Sequence, residues 1–164
     1  MALLAAAAVV EGAWGWRLGW LGGAPEPVLV VALALGLRTE PEGAAAVGFT
    51  AGLLQDLFGG GPLGLLATAK LWVGFAAGTL GRTVVLDSTW GPPVFVAAGT
   101  ALSRALEAVL GSITSQPVPP LATWAQGTLV AAWWNALTAP LVFAGLRKVG
   151  NWRARPARAR QSEP

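Results

Sequence analysis

The sequence predicts an all-α integral membrane protein with about six transmembrane helices, and three observations predict it. Its residues are 54% hydrophobic and only 12% charged, about half the ~25% charge of an ordinary soluble domain. The apolar residues fall into six runs that meet or approach the ~20 residues an α-helix needs to cross ~30 Å of hydrocarbon. Basic residues collect at one end: six of the eleven, Arg147, Lys148, Arg153, Arg155, Arg158 and Arg160, lie in the last eighteen positions, as they do on a cytoplasmic flank. A soluble helical bundle needs polar faces at the helical period, and none appears before residue 147.

The first run, Ala2 to Trp20, carries Trp14, Trp16 and Trp20 near one end, as an interfacial belt does. It lacks the Lys/Arg start of a cleavable signal and reads as a retained helix. After the turn Gly22 to Pro27, the second run, Val28 to Leu37, has only ten residues. That is too short to span unless the bilayer thins, neighbours extend the helix, or protein covers it. A charged loop, Arg38 to Glu42, precedes the third run, Gly43 to Phe58, with Pro41 suited to its first turn. Gly59-Gly60-Gly61-Pro62 separates it from the fourth run, Leu63 to Gly81. Beyond the polar loop Arg82 to Trp90, Pro92-Pro93 opens the fifth run, Val94 to Ile113. The loop Ser112 to Pro120 leads to the sixth, Leu121 to Leu146, about 39 Å long at 1.5 Å per residue, where Pro140 removes one helical hydrogen bond and predicts a kink. Residues 1–150 thus read as one transmembrane domain and 151–164 as a basic cytoplasmic tail, expected to be disordered. With six spans, both termini and the loops at Arg38 and Arg82 are cytoplasmic, and the loops around Gly60 and Pro117 carry no Lys or Arg. A re-entrant pair of runs two and three keeps both ends inside; only a five-span chain moves the N-terminus out.

Helices in lipid associate through close packing and polar contacts rather than hydrophobicity. The third run places Gly48, Gly52 and Asp56 four residues apart, and the fourth does the same with Lys70, Gly74 and Gly78. Such residues share one helix face, so each helix offers a smooth stripe bearing one charge. With Gly60 and Gly64 of the intervening turn, these glycines are the expected packing surface for a partner helix, and they also admit a homodimer. A charge in the apolar layer costs about 2.5–3.5 kcal/mol and usually pairs inside the bundle; an Asp56–Lys70 contact locking the hairpin is the expectation. Arg104 and Glu107, three apart on the fifth helix, can pair on its own surface. Asn135, Thr128 and Thr138 on the last helix are expected to hydrogen-bond to neighbouring helices.

Cysteine and histidine are both missing, which removes disulfides, thiolate chemistry, the usual zinc sites and imidazole catalysis. Aspartyl chemistry needs two carboxylates sharing a site, and no spacing ties Asp56 to Glu107. No enzyme activity, cofactor, metal or nucleic-acid partner is expected; the basic tail reads as a topological marker beside the bilayer.

The stretch GFTAGLLQDLFGGGPLGLLATAKLWVGFAAG, residues 48 to 78, resembles the bacterial rod shape-determining MreD family: a glycine-spaced helix, Leu-Gln-Asp, a Gly-Pro-Leu-Gly turn, and a lysine-bearing helix ending Gly-x-x-x-Gly. The triple glycine Gly59-Gly60-Gly61 and the Ala/Trp-rich flanks depart from that pattern. The resemblance implies a non-catalytic inner-membrane scaffold of the cell-elongation machinery, bound to the single-span protein MreC. Through MreC it would reach the actin-like MreB filament and the peptidoglycan polymerase and transpeptidase. It also implies a six-helix fold like the substrate-binding S component of energy-coupling-factor vitamin transporters. The alternative expectation is therefore a small-molecule-binding transporter subunit, with an outer-end pocket rimmed by Gln55, Asp56 and the Gln116 loop.

Overall fold

A computed structural model describes residues 2–18, 23–59, 61–84 and 90–149, with side chains over residues 3–12, 23–59, 61–80 and 90–146. The described residues form six α-helices and no strand: α1 (Ala2–Leu18), α2 (Pro27–Gly36), α3 (Pro41–Gly59), α4 (Leu65–Val84), α5 (Gly91–Ile113) and α6 (Leu121–Val149). Each apolar run became a helix, and proline sits in the first turn of α2, α3 and α5, where its missing N–H costs nothing. Helix α6 continues through Pro140. The 151–164 tail, Gly60, and the side chains of Trp14, Trp16 and Trp20 lie outside the described residues.

Helix α2 is the centre of the molecule. It touches all five other helices, and every residue from Val28 to Ala34 is buried. A helix apolar on every side belongs inside, and at ten residues this one is covered by protein instead of facing lipid alone. One flank (Leu29, Val30, Leu33) packs on Val73 and Ala77 of α4, Val96 of α5 and Phe143 of α6. The other (Val28, Val31, Ala32) packs on Leu4 and Ala8 of α1 and Ala51 of α3. Short connections join consecutive helices, which therefore alternate in direction. One end gathers the start of α2, the α3–α4 turn and the start of α6; the other gathers the α2–α3 connection and the start of α5. At this second end the Arg38 side chain donates to the Leu146 carbonyl at 3.1 Å, satisfying one of the acceptors a helix leaves free in its last turn.

Beside the apolar core, some polar side chains are also enclosed and many large apolar ones are left outside. Lys70, Ser103, Thr100 and Asn135 are buried, whereas Trp72, Leu80, Leu129, Trp133, Leu137 and Leu141 are exposed. Helix α5 and the Leu121–Leu146 part of α6 are long and apolar enough to cross a membrane, and in an apolar 18-residue window of each only 22% and 28% are buried inside the molecule.

Candidate functional site

The most extensive helix contact is between α3 and α4, and the glycine stripes are what permits it. A Cβ at Gly48 would collide with the Lys70 carbonyl group, with the carbon at 2.8 Å; one at Gly52 would sit 2.5 Å from the Ala67 Cα; one at Gly78 would sit 2.8 Å from the Pro41 Cα. Gly74 faces Gly48 and the Ala44 backbone. Each stripe does admit another backbone, but it is the chain's own. These four glycines are consumed inside the hairpin, so the expectation that they receive a partner's helix is corrected: no room remains there. Gly64, with φ of +95°, occupies a left-handed conformation that only glycine adopts without cost.

Asp56 closes the same hairpin. Its carboxylate accepts the backbone N–H groups of Gly64 (2.8 Å), Leu66 (3.1 Å) and Ala67 (3.2 Å). These are among the donors that the first turn of α4 cannot satisfy internally, and the positive end of the helix dipole adds to the attraction. Lys70, a turn further on, is drawn elsewhere. The expected Asp56–Lys70 pair is thus replaced by two separate arrangements.

Lys70 projects into a buried ion cluster that four elements assemble. Its ammonium lies 3.6 Å from Glu26 and 3.1 Å from Glu107. Arg104 pairs with Glu26 and stands 3.9 Å from Glu107, so the anticipated Arg104–Glu107 contact along α5 exists within a larger set. Ser103 donates to Glu107 at 2.8 Å. Asn135, fully buried on α6, accepts the Glu26 backbone N–H at 2.8 Å and donates to the Thr100 hydroxyl at 3.0 Å, fixing the connection before α2 against α5. Thr128 and Thr138 do not bridge helices as expected: each donates back to a carbonyl of α6, Trp124 and Asn135 respectively, a bond within a single helix turn. Glu26 lies ahead of α2, outside the apolar runs; burial raises its carboxyl, and the Lys70 and Arg104 charges outweigh that and hold it below its ordinary value.

Glu11 and Glu26 are the residues that sequence reasoning missed. Glu11, on α1, accepts the Val28 backbone N–H at 3.2 Å and the Gln55 side-chain amide. Its signal was present, since an acid within an apolar run is a functional-site candidate by default; Glu26 was hidden in a Pro-Glu-Pro turn. Beside the cluster opens a cavity of about 550 Å³ lined by Glu11, Glu26, Gln55, Lys70, Arg104 and Glu107 with apolar neighbours. It lies at the end that holds the start of α2 and the α3–α4 turn. Gln55 lines it as anticipated, and neither Asp56 nor Gln116 does.

A second concavity is apolar. It runs between α4 and α5 over a floor that includes Leu33 of α2, has a volume of about 570 Å³, and combines the small residues Ala76, Ala77, Gly91, Ala98 and Gly99 with the larger Leu80, Trp90, Val94, Phe95 and Leu102. Comparison with protein-family models, curated proteins and solved structures finds no match to this chain.

Proposed function

We propose that the chain is a non-catalytic, multi-pass inner-membrane scaffold of the bacterial cell-elongation machinery, with both termini cytoplasmic and an S-component-like arrangement of six helices. It holds the transmembrane helix of an MreC-like partner and supports peptidoglycan synthesis and cell shape. The observation that carries this reading is the α4–α5 groove: small side chains along its base and large apolar ones around it suit the approach of a helix in lipid, where close packing drives association. Among the described residues its lining contains no charged side chain, and a membrane-spanning helix is the occupant that matches it. The resemblance over residues 48–78 supplies the identity of the machinery. The exposed apolar faces of α5 and α6 support the membrane setting, because apolar patches of this extent are rare on soluble monomers. Engagement of Asp56, Glu26 and Glu107 in capping and ion pairing supports a role without catalysis.

Gentle detergent purification from a native host tests the reading. A single-span protein is expected to co-purify, and Ala98→Trp, which fills the groove, is expected to lose it while Leu141→Trp on the outer face of α6 retains it. Equal recovery of the partner with both variants would contradict groove binding.

The alternative, a small-molecule-binding transporter subunit, is favoured by one feature, the charged cavity beside Lys70.

A further inference from the structure

Glu11 stands apart in the ion cluster. Among the described residues it has no cation against it: its oxygens accept only the neutral Val28 N–H and Gln55 amide. Glu26 and Glu107, by contrast, share Lys70 and Arg104 between them. Three carboxylates facing two cations leave the cavity lining short of one positive charge when all are ionised. Among the described residues three side-chain polar atoms are buried without a hydrogen-bond partner: Glu26 Oε1, which is ion-paired with Arg104, Gln55 Oε1, an acceptor on the side chain that holds Glu11, and Arg104 Nε, a donor. Buried polar groups are normally paired, and each exception calls for a cause. Ala8, Pro25, Phe58 and Leu66 complete the walls, and about 550 Å³ falls within the ~300–1,000 Å³ of small-molecule sites.

We propose that this cavity binds a small ligand bearing a primary ammonium group. Glu11 is its counter-ion, and the Gln55 and Arg104 side chains that line the cavity supply the further polar contacts. With three carboxylates against two cations in the lining, a simple anion is the poorer match. Among the described residues no three acidic side chains are arranged to hold a metal ion. A quaternary ammonium is normally caged by several aromatic rings; among the described residues Phe58 is the one aromatic in the lining, and such a group has no N–H to donate to Glu11. An aminoalkyl phosphate has both required ends, and it can arrive as a free molecule or as the headgroup of an ethanolamine lipid. The site is independent of the α4–α5 groove, so neither proposal stands or falls with the other.

The test is thermal unfolding of the full chain in a neutral detergent micelle, titrated with phosphoethanolamine, with a short-chain phosphatidylethanolamine, and with phosphocholine as the control lacking N–H donors. A saturable rise in midpoint with either amine and none with phosphocholine is the expected result. Response to the lipid alone identifies a headgroup site; response to both identifies the aminoethyl phosphate group as sufficient. Glu11→Gln is expected to weaken the response about ten- to a hundredfold, the worth of a charge-assisted hydrogen bond. Gly12 lines the cavity, and a Cβ there meets nothing within 4 Å. Gly12→Phe should therefore abolish the response without lowering the ligand-free midpoint, and it carries the test even if Glu11→Gln fails to fold. No saturable shift with either amine, a shift matched by phosphocholine, or a shift that survives Gly12→Phe would overturn the proposal.

Discussion

Lys70 carries an ammonium group into the interior with two carboxylates and Arg104 around it, and its loss would leave Glu26 and Glu107 with one cation between them. Breaking a buried pair from one side costs about 3–5 kcal/mol, because the surviving charge stays desolvated. Lys70→Met is therefore expected to destabilise the protein by about that amount in detergent unfolding, and adding Glu107→Gln should restore part of the loss. A Lys70→Met change under about 1 kcal/mol, the value of a solvated surface pair, would mean that the cluster is wet and loosely held. The same cluster shows where residue-level reading succeeds and fails. Asp56, Lys70, Arg104, Glu107 and Asn135 stood out because a polar group in an apolar run must find a partner. Which partner it finds is a matter of three-dimensional neighbours. Asp56 and Lys70 flank one turn, yet the unsatisfied amides opening α4 lie closer to Asp56, and Glu26 reaches Lys70 from a connection far away in the chain.

At the scale of the helix, the four-residue glycine spacing made the tight α3–α4 face legible, since periodicity alone puts Gly48 with Gly52 and Gly74 with Gly78. The spacing could not say whose backbone fills the face. A sequence-adjacent helix joined by a short turn meets it first, and once the two stripes face each other nothing else enters. The ten-residue second run was likewise legible as an oddity, too short to span and apolar on every side, and burial among five helices resolves it. Two glycine substitutions separate the roles. Gly52→Ala drives a Cβ to 2.5 Å from the Ala67 Cα, backbone that cannot swing aside, and is expected to cost about 1–3 kcal/mol by overpacking. Gly145→Ala on α6 meets nothing within 4 Å and should gain about 0.5–1 kcal/mol from the reduced backbone entropy of the unfolded chain. Unfolding free energies that move the same way for both would show that α3 and α4 are not in backbone contact.

Across the whole molecule, an ion cluster and a buried amide sit beside the apolar core while many large aromatic and aliphatic side chains lie outside, a distribution that costs less in lipid than in water. The six helices were readable because the length of an apolar run and the turn residues that bound it are local properties of the sequence, whereas the basic end lies outside the residues whose side chains are described. The α4–α5 groove was not readable. It is built from residues of α2, α4 and α5 whose proximity depends on how α2 inserts between its neighbours, and no local spacing encodes that. Because the chain contains no cysteine, single cysteines can be placed without background. The most direct measurement is disulfide cross-linking in native membranes between a cysteine at Ala98 or Ala76 and a cysteine series along the transmembrane helix of the co-purifying single-span protein. Cross-links at those two positions that recur with helical period along the partner, with none from Leu137 or Leu141 on α6, are the predicted result. Cross-links from α6 and none from the groove would contradict the account.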